Sequence, residues 1–323
     1  MNALRALPSG LLRVVGALLL LTALALALSR APERDVRTLV ARWAPPPSDF
    51  IEVRGQIVHL RDEGPRDDPQ PLVLIHGTAS SLHTWEGWVA ALKGRRRIIT
   101  FDLPGFGLTG PYAGQYTPDD YHGDGDARFV FDLLDALQVQ RAVVGGNSLG
   151  GEVAWRMAVM APERVLALVL VDAAGPPFTS QAAPLGFLLA RTPGLNRIGE
   201  WVLPRSLVAQ GLAEVYGDPA KVTPELVDRH FELALREGNR RALGLRLRQW
   251  VPGEHAERIA GIRQPTLILW GGRDRLIPPT VGRHFAQQIP GSRLVVFDDL
   301  GHVPQEEDPL RTVAPVKDFL GLR

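Results

Sequence analysis

The chain has no cysteine among its 323 residues. That one absence removes thiol nucleophiles, paired-thiol redox chemistry, thiolate zinc sites and iron–sulfur ligation. It leaves the compartment open, because a cysteine-free protein tolerates oxidising and reducing surroundings equally. Lysine is scarce too. Lys93, Lys221 and Lys317 are the only ones, and arginine carries the rest of the positive charge, a bias of coding to which no function is attached. A strong net charge is also missing: the formal value of +1 argues against a dedicated nucleic-acid binder. No HExxH or comparable ligand spacing occurs, so no metal is expected. No fixed-period repeat or low-complexity tract is present.

What remains has the balance of a globular chain, 45% apolar and 22% charged. The length admits one large domain or two small ones. It is enough to bury most of the surface exposed by the unfolded chain without a disulfide or metal staple.

One segment stands apart. Val14 to Leu28 carries no charge, and Leu11 and Leu12 extend it past Arg13, whose long stem could snorkel. Counted from Leu11 to Ser29 the stretch just suffices for a membrane-spanning helix. Counted from Val14 it has the length of a signal-peptide core, with Ala27-Leu28-Ser29 as the cleavage site. A buried core helix is the third reading, disfavoured because leucine and alanine cover every face. Arg5 and Arg13 precede the run, so the positive-inside rule places the rest of the chain across the membrane. The expectation is therefore a single-pass anchor over residues 1–30 with the bulk of the chain extracytoplasmic, or an exported soluble form after cleavage. Residues 31–49, which include Pro45-Pro46-Pro47, read as an extended stalk.

From Phe50 onward short apolar runs alternate with helical patterns. Ile51–Val53 and Gln56–Leu60, joined through Arg54-Gly55, read as a hairpin. Leu72–Ile75, Ile98–Phe101, Ala142–Gly145, Val165–Val171, Thr266–Trp270 and Leu294–Phe297 are mostly continuous, as strands buried on both faces must be. Helical patterns at Ala127–Leu137 and Glu152–Met160 separate some of them. The alternation predicts an α/β domain over residues 50–323 with a mostly parallel sheet and right-handed crossovers. Between residues 177 and 260 no buried strand is evident. Helical patterns at Pro224–Arg236 and Arg240–Trp250 predict a helical cap there.

The sharpest chemical signal is Gly146-Asn147-Ser148-Leu149-Gly150-Gly151, which follows the strand AVVGG and opens a helix. A strand-to-helix turn tight enough to expose a serine hydroxyl leaves no room for side chains two positions either side, hence Gly146 and Gly150. A glycine-rich turn with an incidental capping serine would look similar. A serine nucleophile, however, needs a base, and the base needs a carboxylate. The strand TLILW runs into Gly271-Gly272-Arg273-Asp274, and LVVF runs into Asp298-Asp299-Leu300-Gly301-His302. Both candidates follow strand ends, where open α/β sheets build their sites. The strand PLVLI ends in His76-Gly77-Thr78-Ala79. The turn at Thr78 and the residue after the nucleophile, Leu149, are placed to give two backbone N–H groups to an oxyanion.

The motifs IHGTASSLHTW, FDLPGFGLTG, GGNSLGG, LVDAAG, LWGGRDRLIP and GHVPQEEDP occur in the order found in α/β-hydrolase-fold proteins, which the chain resembles from about residue 50 to its end. The resemblance implies an eight-stranded sheet with an inserted cap. It implies Ser148 as nucleophile, His302 as general base and acid, Asp274 as its orienting partner, and Thr78 and Leu149 amides as oxyanion donors. It also implies a cap-built pocket for a small acyl substrate and no cofactor. Ser148 stands where haloalkane dehalogenases and epoxide hydrolases of this family place aspartate, which argues against both. Serine favours acyl chemistry, with carboxylic ester hydrolysis as the first expectation. Hydrolysis of carbon–carbon bonds in ring-cleavage products is the alternative, although Val303 stands after His302 where that group commonly has tryptophan. A non-catalytic ligand receptor on the same scaffold is the reading from another class.

Rival residues remain. Asp172 ends the strand VLALVLVD and competes with Asp274, and Asp102 belongs to the turn DLPGFG and reads as structural. His76 reads as shaping the loop beside the oxyanion turn. His59, His83, His122, His230, His255 and His284 lack a paired motif. Gly105-Phe106-Gly107-Leu108-Thr109-Gly110 matches a dinucleotide fingerprint, but Pro111, Gly114 and Pro118 follow where a helix should begin. In the cap, Phe187, Leu188, Leu189, Trp201, Val202 and Leu203 read as an apolar pocket, a membrane-facing patch, or plain packing.

Overall fold

A computed structural model describes residues 9–182 and 184–322. Eight strands form one sheet: β1 (Asp49–Val53), β2 (Gln56–Glu63), β3 (Leu72–Ile75), β4 (Ile98–Phe101), β5 (Ala142–Asn147), β6 (Val165–Val171), β7 (Thr266–Gly271) and β8 (Arg293–Phe297). Their order is β1-β2-β4-β3-β5-β6-β7-β8. β1 and β2 are antiparallel and β2 runs antiparallel to β4, while every later pairing is parallel. The expected hairpin is there. Arg54 and Gly55 between its strands both take positive φ, at 49° and 84°, the conformation that matches a two-residue turn to strand twist.

Before the sheet come α1 (Ser9–Leu28) and α2 (Val36–Trp43), and between its strands α3 (Glu86–Leu92), α4 (Gly123–Ala136) and α5 (Leu149–Met160). Among the described residues five α-helices then separate β6 from β7: α6 (Leu185–Arg191), α7 (Leu195–Gly199), α8 (Arg205–Val215), α9 (Pro224–Ala234) and α10 (Asn239–Gln249). They occupy the stretch in which the sequence shows no strand. α11 (Pro279–Gln288) joins β7 to β8, and α12 (Pro304–Glu307) and α13 (Pro309–Phe319) close the chain.

The continuous apolar runs are explained by two cores, one on each face of the sheet. Val73, Ile75, Val144, Leu168, Leu170 and Ile268 point to one face, where Phe129 of α4, Trp155 of α5 and Phe285 of α11 cover them. Their neighbours Leu72, Leu74, Val143, Val169, Leu267 and Leu269 point to the other, under Trp88 of α3 and Val313 and Val316 of α13. Each of the central strands β3, β5, β6 and β7 therefore spends both side-chain rows on burial.

Two expectations about the N-terminal part are corrected. The apolar segment forms the helix α1, with Leu18, Leu19, Leu20, Leu21 and Leu24 exposed. Yet among the described residues no helix is long and apolar enough to cross a membrane. Arg13 interrupts the run, and the fifteen residues from 14 to 28 rise roughly 22 Å as a helix, short of a hydrocarbon core of about 30 Å. The single-pass anchor is withdrawn, and the extracytoplasmic placement that rested on it falls with it. Arg5, the other half of the charge argument, lies outside the described residues.

The stalk is corrected as well. Residues 31–49 are docked, not free. Asp35 caps α2 through its side chain, which accepts from the Arg37 N–H at 2.8 Å. Leu39 and Trp43 are buried against Leu108 and Leu233. Trp43 Nε1 donates to Glu232 of α9 at 2.7 Å, and Arg42 pairs with the same carboxylate at 2.8 Å. Before α2, Ala31 N–H donates to the Trp201 carbonyl at 2.9 Å, so this segment is laced to the cap.

Candidate active site

Ser148 sits between the end of β5 and the start of α5, with φ 57° and ψ −117°. That region is sparsely populated for any residue with a side chain, and it is held here by the surrounding backbone. Ser148 N–H donates to the Val171 carbonyl at 3.0 Å, and its own carbonyl accepts from Ala174 and Glu152 N–H, each at 3.0 Å. The flanking glycines are obligatory. A Cβ on Gly146 would lie 2.1 Å from the Gly150 carbonyl oxygen, and one on Gly150 would lie 2.1 Å from that of Ile75. A tight strand-to-helix turn is thus formed at Ser148, and the helix that follows aims its free N–H groups and dipole at the serine.

His302 lies on the loop after β8 and Asp274 on the loop after β7. Asp274 Oδ2 and His302 Nδ1 are 2.7 Å apart, both residues buried. Asp274 Oδ1 accepts the N–H groups of Leu276 and Ile277 at 2.8 and 2.9 Å, which fixes the carboxylate in plane. Ser148 and His302 face the same cavity, with Gly77, Thr78 and Asn147 on the wall between sheet and cap. No hydrogen bond joins the Ser148 hydroxyl to His302; such contacts commonly tighten when substrate arrives. Thr78 is at the cavity wall, and Leu149 opens α5 next to Ser148. A Cβ on Gly77 would come within 3.1 Å of Ser148 Cβ, so the turn after β3 abuts the elbow.

Asp172, the rival acid, does not reach His302 by hydrogen bond. It accepts Gly271 N–H at 2.9 Å instead. Asp102 is structural: Oδ1 accepts Leu82 N–H, and Oδ2 accepts Leu108 N–H and faces His59 Nδ1 at 2.7 Å. Burial opposes its charge, but the charge and hydrogen bond of His59 overcome that and hold the carboxyl below the usual carboxylate range. His76 shapes the loop. Its Nε2 accepts Leu103 N–H at 3.0 Å, which leaves Nδ1–H to donate to the Gly77 carbonyl at 2.7 Å. Burial lowers its affinity for a second proton. The fingerprint-like Gly105–Gly110 is a turn in which Gly105, Gly107 and Gly110 all take positive φ. A Cβ on Gly107 would collide with the Asp102 carboxylate, so these glycines serve close packing, not pyrophosphate.

Sequence reasoning missed one residue that orders the site. Asn147, the variable position of G-x-S-x-G, donates from Nδ2 to the Val171 carbonyl at 3.2 Å and to the His302 carbonyl at 2.9 Å. It pins the His302 loop to the end of β5. His302 N–H also donates to the Val215 carbonyl at 2.7 Å, so the cap holds the same loop from above. His230, without a motif in the sequence, lines the cavity, with Nδ1 3.0 Å from the Leu226 carbonyl.

The cavity has a volume of about 250 Å³ and is mostly apolar. The cap residues singled out from sequence divide. Phe187, Leu189, Val202 and Leu203 line it, whereas Leu188 and Trp201 do not and stand exposed. Leu207, Leu212 and Val215 of α8 and Leu243 of α10 supply more of the wall.

The profile of the alpha/beta hydrolase family matches residues 72–316. The chain belongs to the alpha/beta hydrolase family. It is 30% identical over 263 residues to the 2-hydroxy-6-oxo-2,4-heptadienoate hydrolase of Pseudomonas putida, covering 77% of this chain and 88% of that one. A meta-cleavage product hydrolase from Pseudomonas fluorescens superposes with a TM-score of 0.69 at 26% identity, over 84% of this chain and 97% of the other. A membrane phospholipase A, described as a bacterial virulence factor, gives 0.71 at 26% identity, over 96% of this chain and 95% of its own.

Proposed function

We propose that this chain is a serine hydrolase that opens an apolar carbonyl compound through an acyl-enzyme on Ser148. The observation that carries the reading is the buried 2.7 Å His302–Asp274 contact on the cavity that also exposes the strained Ser148. In this scheme His302 takes the Ser148 proton as the hydroxyl attacks the carbonyl carbon. The oxyanion is received by the N–H groups of Thr78 and Leu149. His302 then returns the proton to the leaving group and activates the water that releases the acyl group. Asp274 keeps His302 in the tautomer with Nδ1 protonated and steadies the imidazolium.

Two scissile bonds fit this machinery. The relatives named above back the carbon–carbon bond of a ring-cleavage product better than the carboxylic ester, since two of them are hydrolases of that kind. The ester reading is favoured by one observation. The phospholipase A match extends over 96% of this chain, where the meta-cleavage enzyme covers 84%. Val303 after His302 weighs the same way.

Wild type and Ser148→Ala, assayed on p-nitrophenyl esters of graded acyl length and on a 2-hydroxy-6-oxo-dienoate, separate the two. Turnover of either class that Ser148→Ala abolishes supports the scheme and names the bond. Saturable binding of both classes with no turnover would replace the enzyme by a receptor.

A further inference from the structure

Most buried charges outside the triad sit in closed arrangements: Asp102 with His59, Asp126 with Arg246, Glu306 with Arg229. Asp172 does not. It caps the end of β6 with φ 43° and is fully buried. Its Oδ1 accepts Gly271 N–H at 2.9 Å, while Oδ2 has no hydrogen-bond partner among the described residues. One carboxylate oxygen each of Asp172 and Asp274 and one ring nitrogen of His302 lie within 4.8 Å of one another. Asp274 is fully engaged, by two N–H groups on Oδ1 and His302 on Oδ2. Two carboxylates so close and sealed from water do not both ionise. The proton belongs on the one with fewer donors.

We propose that Asp172 is a neutral carboxylic acid whose Oδ2–H donates to the Asp274 carboxylate, which makes it a positioning residue for the triad's acid. The titratable groups that face it are Asp274 after β7, His302 after β8 and Glu307 of α12. Burial first, then the charge of Asp274, push its carboxyl well above the usual range; Glu307 adds to this and the Gly271 N–H opposes it. The donated hydrogen bond spreads the charge of Asp274, fixes its orientation and tempers its pull on the His302 Nδ1–H.

The catalytic half of this inference rests on the triad reading; the protonation half does not. Infrared difference spectra of the full chain at neutral pH, wild type minus Asp172→Asn, test the latter without turnover. A protonated-carboxyl band that shifts in D₂O and is lost in the variant is expected, and its absence overturns the proposal. Asp172→Asn keeps a donor toward Asp274 and should retain kcat within about threefold. Asp172→Leu has none. It should lower kcat about tenfold at unchanged KM and move the acidic limb of the kcat/KM profile up by about half a unit to one unit. The shift is upward because an undamped Asp274 charge favours the imidazolium. A residue that only filled space would lower stability without moving the limb, so superimposable limbs in wild type and Asp172→Leu would end the positioning role. If Asp172→Leu does not fold, the infrared result decides. A wild type that turns over nothing would count against the triad reading and leave the infrared test intact.

Discussion

At Ser148 the chain holds a side chain where only glycine sits without strain, and the cost there is about 1–3 kcal/mol. Ser148→Gly should therefore abolish activity yet raise stability by about 1 kcal/mol in denaturant titration. Ser148→Ala keeps the strain and should show no such gain. Asn147 holds the His302 loop through the His302 carbonyl. Asn147→Ala should lower kcat about tenfold with little change in KM, because loosening a catalytic group by a fraction of an ångström costs rate more than binding. Asp274→Asn should cost on the order of 10³- to 10⁴-fold in kcat, by favouring the wrong tautomer of His302. That Ser148, Asp274 and His302 would be drawn to one end of the sheet was legible, because each follows a strand end with a glycine close before it. Asn147 was not, because nothing in the pattern G-x-S-x-G constrains its second position.

Among the elements, α2 is the clearest failure of sequence reading. Val36, Leu39, Val40 and Trp43 recur at helical spacing, with Asp35 as cap, yet three following prolines drew the segment into a stalk. What the prolines end is a docked helix. Leu39→Ala should cost about 3 kcal/mol, the usual penalty for emptying a fully buried leucine site. The end of α2 is also tied to a histidine. His83 Nε2 lies 2.8 Å from the Trp43 carbonyl and Nδ1 lies 3.0 Å from the Ser81 hydroxyl. The carbonyl can only accept, so Nε2–H donates to it, and because burial disfavours a second proton Nδ1 accepts from the Ser81 hydroxyl. Burial lowers the His83 pKa to about 4; the charge of Asp102 works against the shift, and Arg229 and Arg61 reinforce it. Below the unfolded value of about 6.5 the unfolded chain binds a proton that the folded chain refuses, so stability falls as pH drops from there toward 4. At pH 5 the loss from this residue is about 2 kcal/mol. Urea titrations at pH 7 and pH 5 should show a smaller difference for His83→Gln than for wild type; equal differences would clear His83 of the effect.

For the whole molecule, the strands of the sheet and the approximate bounds of its helical insertion were legible because both faces of the sheet are covered, which turns strands into unbroken apolar runs. The order of the strands and the partition of the cap's apolar residues were not. Phe187 and Leu188 are chemically alike, and only the packing of α6 against α8 and α10 sends one into the cavity and the other to the surface. The N-terminal run misled for a different reason. Hydropathy counts residues, whereas a bilayer measures length, and Arg13 leaves too little of it. The central claim remains the nucleophile. Incubation of the folded full-length chain with a fluorophosphonate, followed by peptide mass spectrometry, tests it most directly. A single adduct on Ser148, absent from Ser148→Ala and strongly slowed in His302→Gln, is the predicted result. A folded wild type left unlabelled, or labelled on another residue, would contradict it.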